Sequence, residues 1–278
     1  MTAHTRVPVL VVGGGPAGLR AATELAPRVD GTVLVLDREA ELGGVPRHSD
    51  HPGYGMRDLR RFLSGPAYAR RLAAGAQKAG ARLRARSTVT GWADERTVEV
   101  TSPEGRTAIT ADAIVLATGA RERARAARWI PGDRPAGVLT TGELQQMVHV
   151  EHLPVGRRAV VVGAELVSWS AVLTLLEAGV ETAALVTHYP RPDSYAAFSV
   201  PGRLALGAPV RTETRVVRVL GHGRVTGVEV EHLPTGRREV LDCDTVVFTG
   251  GWIPDHELFR SAGIALDPAT RGPRVDMA

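Results

Sequence analysis

Residues 7–18 read VPVLVVGGGPAG, an apolar run that ends abruptly at three glycines. A short continuous apolar run of this kind fits a strand buried on both faces. The glycines supply Gly13-x-Gly15-x-x-Gly18, and AGLRAATELA, which overlaps the last of them, carries apolar residues at helical spacing. TVLVLD (32–37) is a second buried strand. The pattern predicts a βαβ opening in which the glycine turn joins the first strand to the helix.

Each glycine has a physical role in such a turn. Gly13 permits the tight bend, Gly15 lets the backbone approach a diphosphate, and Gly18 lets helix and strand pack closely. Pro16 suits the first helical turn, where its missing N–H costs nothing. With Ala17 it opens a helix whose free amides and partial positive charge face a phosphate. Asp37 ends the next strand, 19 residues after Gly18, where an acid hydrogen-bonds the ribose hydroxyls of an adenosine. Arg38 beside it is placed to lie over the adenine or the phosphates. The alternative is a glycine turn with no ligand.

The pattern then recurs. Met56–Gly80 is expected to be helical with a break near Pro66. ARLRAR, STVTGW, RTVEVTS and GRTAIT read as a β-meander, and AIVLATG (113–119) as a buried strand. Residues 131–155 form a Pro- and Gly-rich connector, where Thr140 and Glu143 fit a capping box. Beyond it RAVVVG, ELVSWSAVLTLLEAG and ETAALVT repeat strand, helix and strand. Gly13 and Gly163 are 150 residues apart, and TVLVLD overlays TAALVT at that offset without a gap. A second meander follows (VRTETRVVRVL, RVTGVEVEHL, GRREVLDC), and DAIVLATG (112–119) overlays DTVVFTGG (244–251). The expected fold is therefore α/β, with two Rossmann-like three-layer units bearing meanders, the second inserted into the first. The expected divisions are 1–130, the connector, 156–250 as the second unit, and 251–278 as the start of a return to the first.

Composition narrows the function. Of 278 residues, 44% are hydrophobic and 23% charged, ordinary for a globular protein that needs no disulfide staples. The net charge is +4, carried by scattered arginines, which argues against nucleic-acid binding. Lys78 is the only lysine, so a Walker-type phosphate loop is excluded. Cys243 is the only cysteine, which excludes an internal disulfide or a cysteine-based metal cluster; it is expected in a buried strand. No metal site is expected. No apolar stretch reaches the roughly 18 residues of a membrane span, and the N-terminus lacks a leader pattern. A cytoplasmic location is the expectation.

VVGGGPAGL, Asp37, ELGG (41–44) and LATGARER resemble the two-dinucleotide-binding-domain flavoproteins, the pyridine nucleotide-disulfide oxidoreductase group. The resemblance covers nearly the whole chain. ATGARER…IPGDRPAGVLTTGELQQ resembles more narrowly the FAD subunits of amine dehydrogenases, such as the opine oxidase, hydroxyproline dehydrogenase, cyanide synthase and sarcosine oxidase alpha types. The resemblance implies FAD, with Gly44 and Val45 passing over the cofactor. It sets Ala117, Thr118 and Gly119 near the diphosphate and the Val89 backbone at the adenine.

Three departures shape the functional expectation. After ELGG the chain reads VPRHSDHPGYG, so the redox cysteine pair of the disulfide reductases is missing. His48 and His51 stand there instead, and a histidine near a flavin ring moves protons near neutral pH. The alternative is two loop histidines with water or backbone partners. In the second unit Gly163, Glu165 and Ser168 overlay Gly13, Gly15 and Gly18, and Thr187 overlays Asp37. A carboxylate 4 Å from a phosphate charge costs about 4 kcal/mol at a surface-like dielectric, on the order of a thousandfold in affinity. NAD(P) at the second unit is therefore doubtful. Finally, GWIPDHELFRSAGIALD resembles the approach to the family's last FAD-contacting segment, whose glycine-acid turn is not found before Ala278. A truncated chain, a second subunit completing the flavin site or accepting electrons, or a weakly held FAD is expected.

The leading expectation is an FAD-dependent oxidoreductase, a dehydrogenase or oxidase component taking hydride from an amine or amino-acid-like substrate. An NAD(P)H-dependent flavin reductase and a non-catalytic nucleotide-binding subunit or inactive fragment are the alternatives.

Overall fold

A computed structural model describes residues 3–194 and 207–276; Met277 and Ala278, which end the sequence, lie outside the described residues. The chain divides into two compact units. Unit 1 comprises Met1–Arg47, Pro52–Arg121 and Ile253–Ala278, and unit 2 comprises His48–His51 and Glu122–Trp252.

Unit 1 opens with β1 (Ala3–Val12), α1 (Pro16–Leu25) and β2 (Val33–Leu36). α2 (Gly65–Lys78) leads to β3 (Arg82–Arg84), β4 (Thr88–Asp94), β5 (Thr97–Ser102) and β6 (Gly105–Leu116). The sheet order is β3-β2-β1-β6-β5-β4, with the first four strands parallel. Alternation along β1 decides which layer each residue joins. Val9 and Val11 pack with Leu19, Ala22, Leu72 and Ala76 of the two helices. Leu10 and Val12 pack on the other face with Val98, Val100 and Ile109 of the meander. Each such Val or Leu, fully buried, contributes roughly 1.5–3 kcal/mol.

Unit 2 repeats the plan. The connector contributes β7 (Val138–Thr140) and α3 (Thr141–Gln145), opened by the expected Thr140–Glu143 capping box. β8 (Arg158–Val162), α4 (Leu166–Glu177), β9 (Glu181–Val186) and β10 (Val210–Arg211) follow. The meander is β11 (Thr214–Leu220), β12 (Gly227–His232) and β13 (Arg237–Asp242), and β14 (Thr245–Phe248) closes the unit. The parallel sheet runs β7-β14-β8-β9-β10, and the meander forms a sheet of its own. Val161 packs with Trp169, Val172 and Leu175 of α4, while Val160 packs with Val228, Val230 and Phe248. α5 (Glu257–Ser261) belongs to unit 1, where Trp92 Nε1 donates to the Leu258 carbonyl at 3.0 Å.

Four expectations change in detail. Residues 56–62 are turns rather than helix. Pro66 falls in the first turn of α2, where its missing N–H costs nothing, so α2 starts at Gly65 with Ser64 as its cap. GRTAIT and AIVLATG merge into one strand, β6, because no turn residue separates them and β1 pairs along nearly its whole length. ARLRAR joins β2 in parallel rather than the meander. The connector is not merely a link, since β7 pairs with β14. No helix among the described residues is long and apolar enough to cross a membrane.

Candidate functional site

The carboxyl ends of β1, β2 and β6 converge in unit 1. Order reverses there, since the chain moves from β1 to β2 on one side and to β6 on the other. Ligands of open parallel sheets bind outside such a reversal. Gly13, at φ +105°, lies so close to β6 that an added Cβ would stand 2.2 Å from the Ala117 carbonyl oxygen. Gly18 packs as tightly, with a Cβ falling 1.9 Å from the Gly13 oxygen. Gly43 N donates to the Gly14 oxygen at 2.8 Å, and a Cβ on Gly44 would meet the Gly15 Cα at 2.8 Å. The ELGG pair thus lies directly against the turn.

Gly15 is different. Its φ of −75° is open to any residue, and a Cβ there would meet nothing nearer than the Gly44 Cα at 3.8 Å. Neither strain nor the protein's own packing requires glycine at this point. Gly15 is also the N-cap of α1, which has no side-chain cap and no acid in its first turn. The first amides of a helix need acceptors. A bare backbone and uncapped amides are what a diphosphate needs.

Asp37 is buried and shapes the same turn. Its Oδ2 accepts from Gly14 N at 2.7 Å and its Oδ1 from Glu39 N at 2.9 Å. A carboxylate has about four acceptor positions, so two remain for a ribose diol. Arg38 is exposed and pairs with Glu39 at 3.6 Å. Pro16 is half-buried and Ala17 and Val45 are exposed. Val89 lies in β4, two residues beyond Ser87, whose N–H donates to the Asp37 oxygen. Ala117 N donates to Val12 O, the Thr118 hydroxyl to Asp255 O at 2.7 Å, and Gly119 O accepts from Asp255 N. Replacing Asp37 by Ala leaves two amides without their acceptor. The expected cost is about 2–3 kcal/mol, read as a lower urea midpoint.

His48 and His51 fall in unit 2 rather than in this cluster. His48 is buried. His51 Nε2 lies 2.6 Å from Ser170 Oγ on α4 and 3.0 Å from Ser49 Oγ. Gln145, 3% exposed, donates to both serine oxygens, at 2.8 Å to Ser170 and 3.2 Å to Ser49. The His51 ring is therefore held in one orientation by two buried serine hydroxyls that Gln145 fixes in turn. Sequence reasoning missed these partners because they lie on three separate segments and no local pattern links them.

Unit 2 also carries Glu122, whose carboxylate accepts from Gly142 N at 2.8 Å and Gly250 N at 3.3 Å. Burial pushes its carboxyl above the usual range despite these bonds. Arg128 donates to the Thr249 and Gly250 carbonyls and lies 5.5 Å from the centre of the Phe248 ring. Among the described residues no group of three or more His, Cys, Asp or Glu is placed to hold a metal.

Cys243 sits between β13 and β14 at 5% exposure, and burial with Asp244 beside it pushes its thiol up to about 11. At pH 8 only about one thiol in a thousand would then be ionised. A disulfide reagent at that pH is expected to label the folded chain on the order of a hundredfold more slowly than the urea-unfolded chain. Equal rates would contradict the burial.

The family model described as pyridine nucleotide-disulphide oxidoreductase matches residues 7–277. The chain is 30% identical over 274 residues to the alpha subunit of sarcosine oxidase from Corynebacterium sp. (strain P-1), covering 90% of this chain and 27% of that one. It is 27% identical to an opine oxidase subunit from Rhizobium meliloti, covering 93% and 52%. It thus spans about a quarter and about half of these two curated relatives. The thioredoxin reductase structure of T. acidophilum superposes with a TM-score of 0.77 at 20% identity, over 98% of this chain and 85% of that one, a likeness of fold.

Proposed function

The chain belongs to the pyridine nucleotide-disulphide oxidoreductase family, a family of flavin-dependent oxidoreductases, and on that premise we propose that it binds FAD in unit 1 and oxidises an amine or amino-acid-like substrate. The observation that supports the cofactor reading is Gly15, a bare N-cap that neither backbone strain nor packing requires and that leaves the first amides of α1 open to a ligand. In this reading the Gly13–Gly18 turn and the start of α1 hold the diphosphate, and the two remaining acceptor positions of Asp37 hold the ribose. Gly44 and Val45 pass over the cofactor, and Ala117, Thr118 and Gly119 close its far side.

The substrate class rests on the names of the two relatives, oxidases of sarcosine and of opines. Bound FAD would supply the two-electron acceptor. The chain must then remove a proton from the substrate's ammonium so that the nitrogen lone pair can assist loss of hydride from the adjacent carbon. Within unit 2 the His51 ring is oriented by Ser49 and Ser170, and these in turn by Gln145, as a group able to accept a proton. Thiol-disulfide exchange has no residue to carry it, since the one cysteine is Cys243. Both relatives are named as subunits, and a partner chain that accepts electrons or completes the flavin site fits this protein.

The test is an anaerobic absorbance trace of the FAD-loaded chain, by itself and with candidate partner chains. Sarcosine or an opine is expected to bleach the flavin band, and NADH and NADPH are expected to leave it. Bleaching by NADH and by no amine would replace this reading with that of a flavin reductase.

A further inference from the structure

The two units share a hydrogen-bond frame at their turns. Gly13 N donates to Leu36 O and Gly163 N to Val186 O, each at 2.9 Å. Asp37 N donates to Arg84 O and Thr187 N to Arg211 O, each at 3.0 Å. Ser87 N reaches Asp37 O at 2.8 Å, and Thr214 N reaches Thr187 O at 2.9 Å. Asp37 Oδ1 accepts from Glu39 N, and Thr187 Oγ1 accepts from Tyr189 N.

The frame departs at one amide. In unit 1, Gly14 N donates to the second oxygen of Asp37. Thr187 has no second oxygen. The matching amide, Ala164 N, donates instead to Glu165 Oε2 at 2.9 Å. The other oxygen, Oε1, accepts from the Thr249 hydroxyl at 2.8 Å. That hydroxyl has one proton, so Ser168 Oγ, 2.7 Å away, is the donor to Thr249. Glu165, Ser168, Thr187 and Thr249 stand where unit 1 has Gly15, Gly18, Asp37 and Ala117. Glu165, Thr249 and Ser168 therefore form one connected arrangement, while Thr187 leaves the Ala164 amide to it. It lies between the ends of β8 and β14, where the order of the unit 2 sheet reverses. The Glu165 carboxylate is pressed so close to the backbone there that a Cβ on Gly250 would fall 2.1 Å from it.

We propose that Glu165 is an internal anion that takes the place of a dinucleotide's diphosphate in unit 2, coupled to the loss of the acid at position 187, and that it shuts this unit to NADH and NADPH. The carboxylate takes the turn amide, fills the space before it and repels a phosphate. The inference stands on unit 2 alone and is independent of the amine reading of unit 1.

The experiment compares NADH binding, by nucleotide fluorescence or calorimetry, for the full chain, Glu165→Gly, Thr187→Asp and the double variant. The extended backbone at Glu165 (φ −84°, ψ 176°) accepts glycine without strain. The parent is expected to show no saturable binding up to about 1 mM, and the double variant to bind at least roughly tenfold more tightly than that limit. Glu165→Gly alone leaves the Ala164 amide without its acceptor, so it lowers the melting midpoint, and Thr187→Asp added to it restores the midpoint. Saturable micromolar binding of NADH by the parent overturns the proposal. So does a folded double variant that binds no better than the parent. Additive effects on the midpoint overturn the coupling, as does a double variant that fails to fold, because Thr187→Asp is required to rescue it.

Discussion

Gly15→Ala is expected to fold like the parent and to lose FAD. The extended backbone at Gly15 takes alanine without strain, and the nearest protein atom to the new methyl would be 3.8 Å away. Alanine is a poorer helix N-cap than glycine, so the melting midpoint should fall by no more than a few degrees, about 1 kcal/mol, with the fold kept. The methyl would instead stand at the opening of the turn, before the uncapped amides of α1. A diphosphate held on those amides would be displaced, and the expected weakening is on the order of a hundredfold or more, about 3 kcal/mol. Titration of the chain with FAD, followed by quenching of flavin fluorescence, measures it. Unchanged affinity in the folded variant would remove the diphosphate from this turn and the cofactor reading with it.

Gly18→Ala has the opposite signature. Here the added methyl falls 1.9 Å from the Gly13 oxygen and 3.1 Å from a Val11 side-chain carbon, so backbone has to move. The carbonyl it strikes belongs to the bend between β1 and α1, and Val11 is fully buried in the central strand. Separating α1 from the sheet also opens the layer of Leu19, Ala22 and Val35. The expected cost is roughly 4 kcal/mol or more, a large part of the stability of an ordinary domain. Low soluble yield and a depressed melting midpoint without any added nucleotide are the readouts. A Gly18→Ala chain that melts with the parent would mean that helix and strand are not packed as described. The two glycines stand three residues apart, yet one answers to the ligand and the other to the fold.

Much of this architecture was legible because it rests on local patterns. Continuous apolar runs mark strands covered on both faces, and the strand–turn–helix–strand repeat, offset by 150 residues, marks the second unit. The capping box at Thr140 was equally visible, since its two partners are three residues apart. Pro66 was read as a break inside a helix, although proline also starts helices, and the chain before it turns instead. The merging of two expected strands into β6 depended on β1 lying alongside, which no local signal reports.

The candidate sites divide in the same way. The glycine turn, Asp37 and the altered second turn were identifiable as residue types at fixed spacings. Glu165 was read as a charge that a phosphate would meet, but nothing local showed that the carboxylate takes the neighbouring amide and the Thr249 hydroxyl. The orientation of His51 likewise depends on Ser170, 119 residues away along the chain.

By itself the sequence determined two βαβ units with glycine turns, because strand burial, helix periodicity and tight bends follow from neighbouring residues. Only the tertiary structure decided which acceptor each turn amide receives, Asp37 in one unit and Glu165 in the other. That choice is a matter of distances within about 3 Å between groups that folding brings together, and spacing along the chain does not encode it.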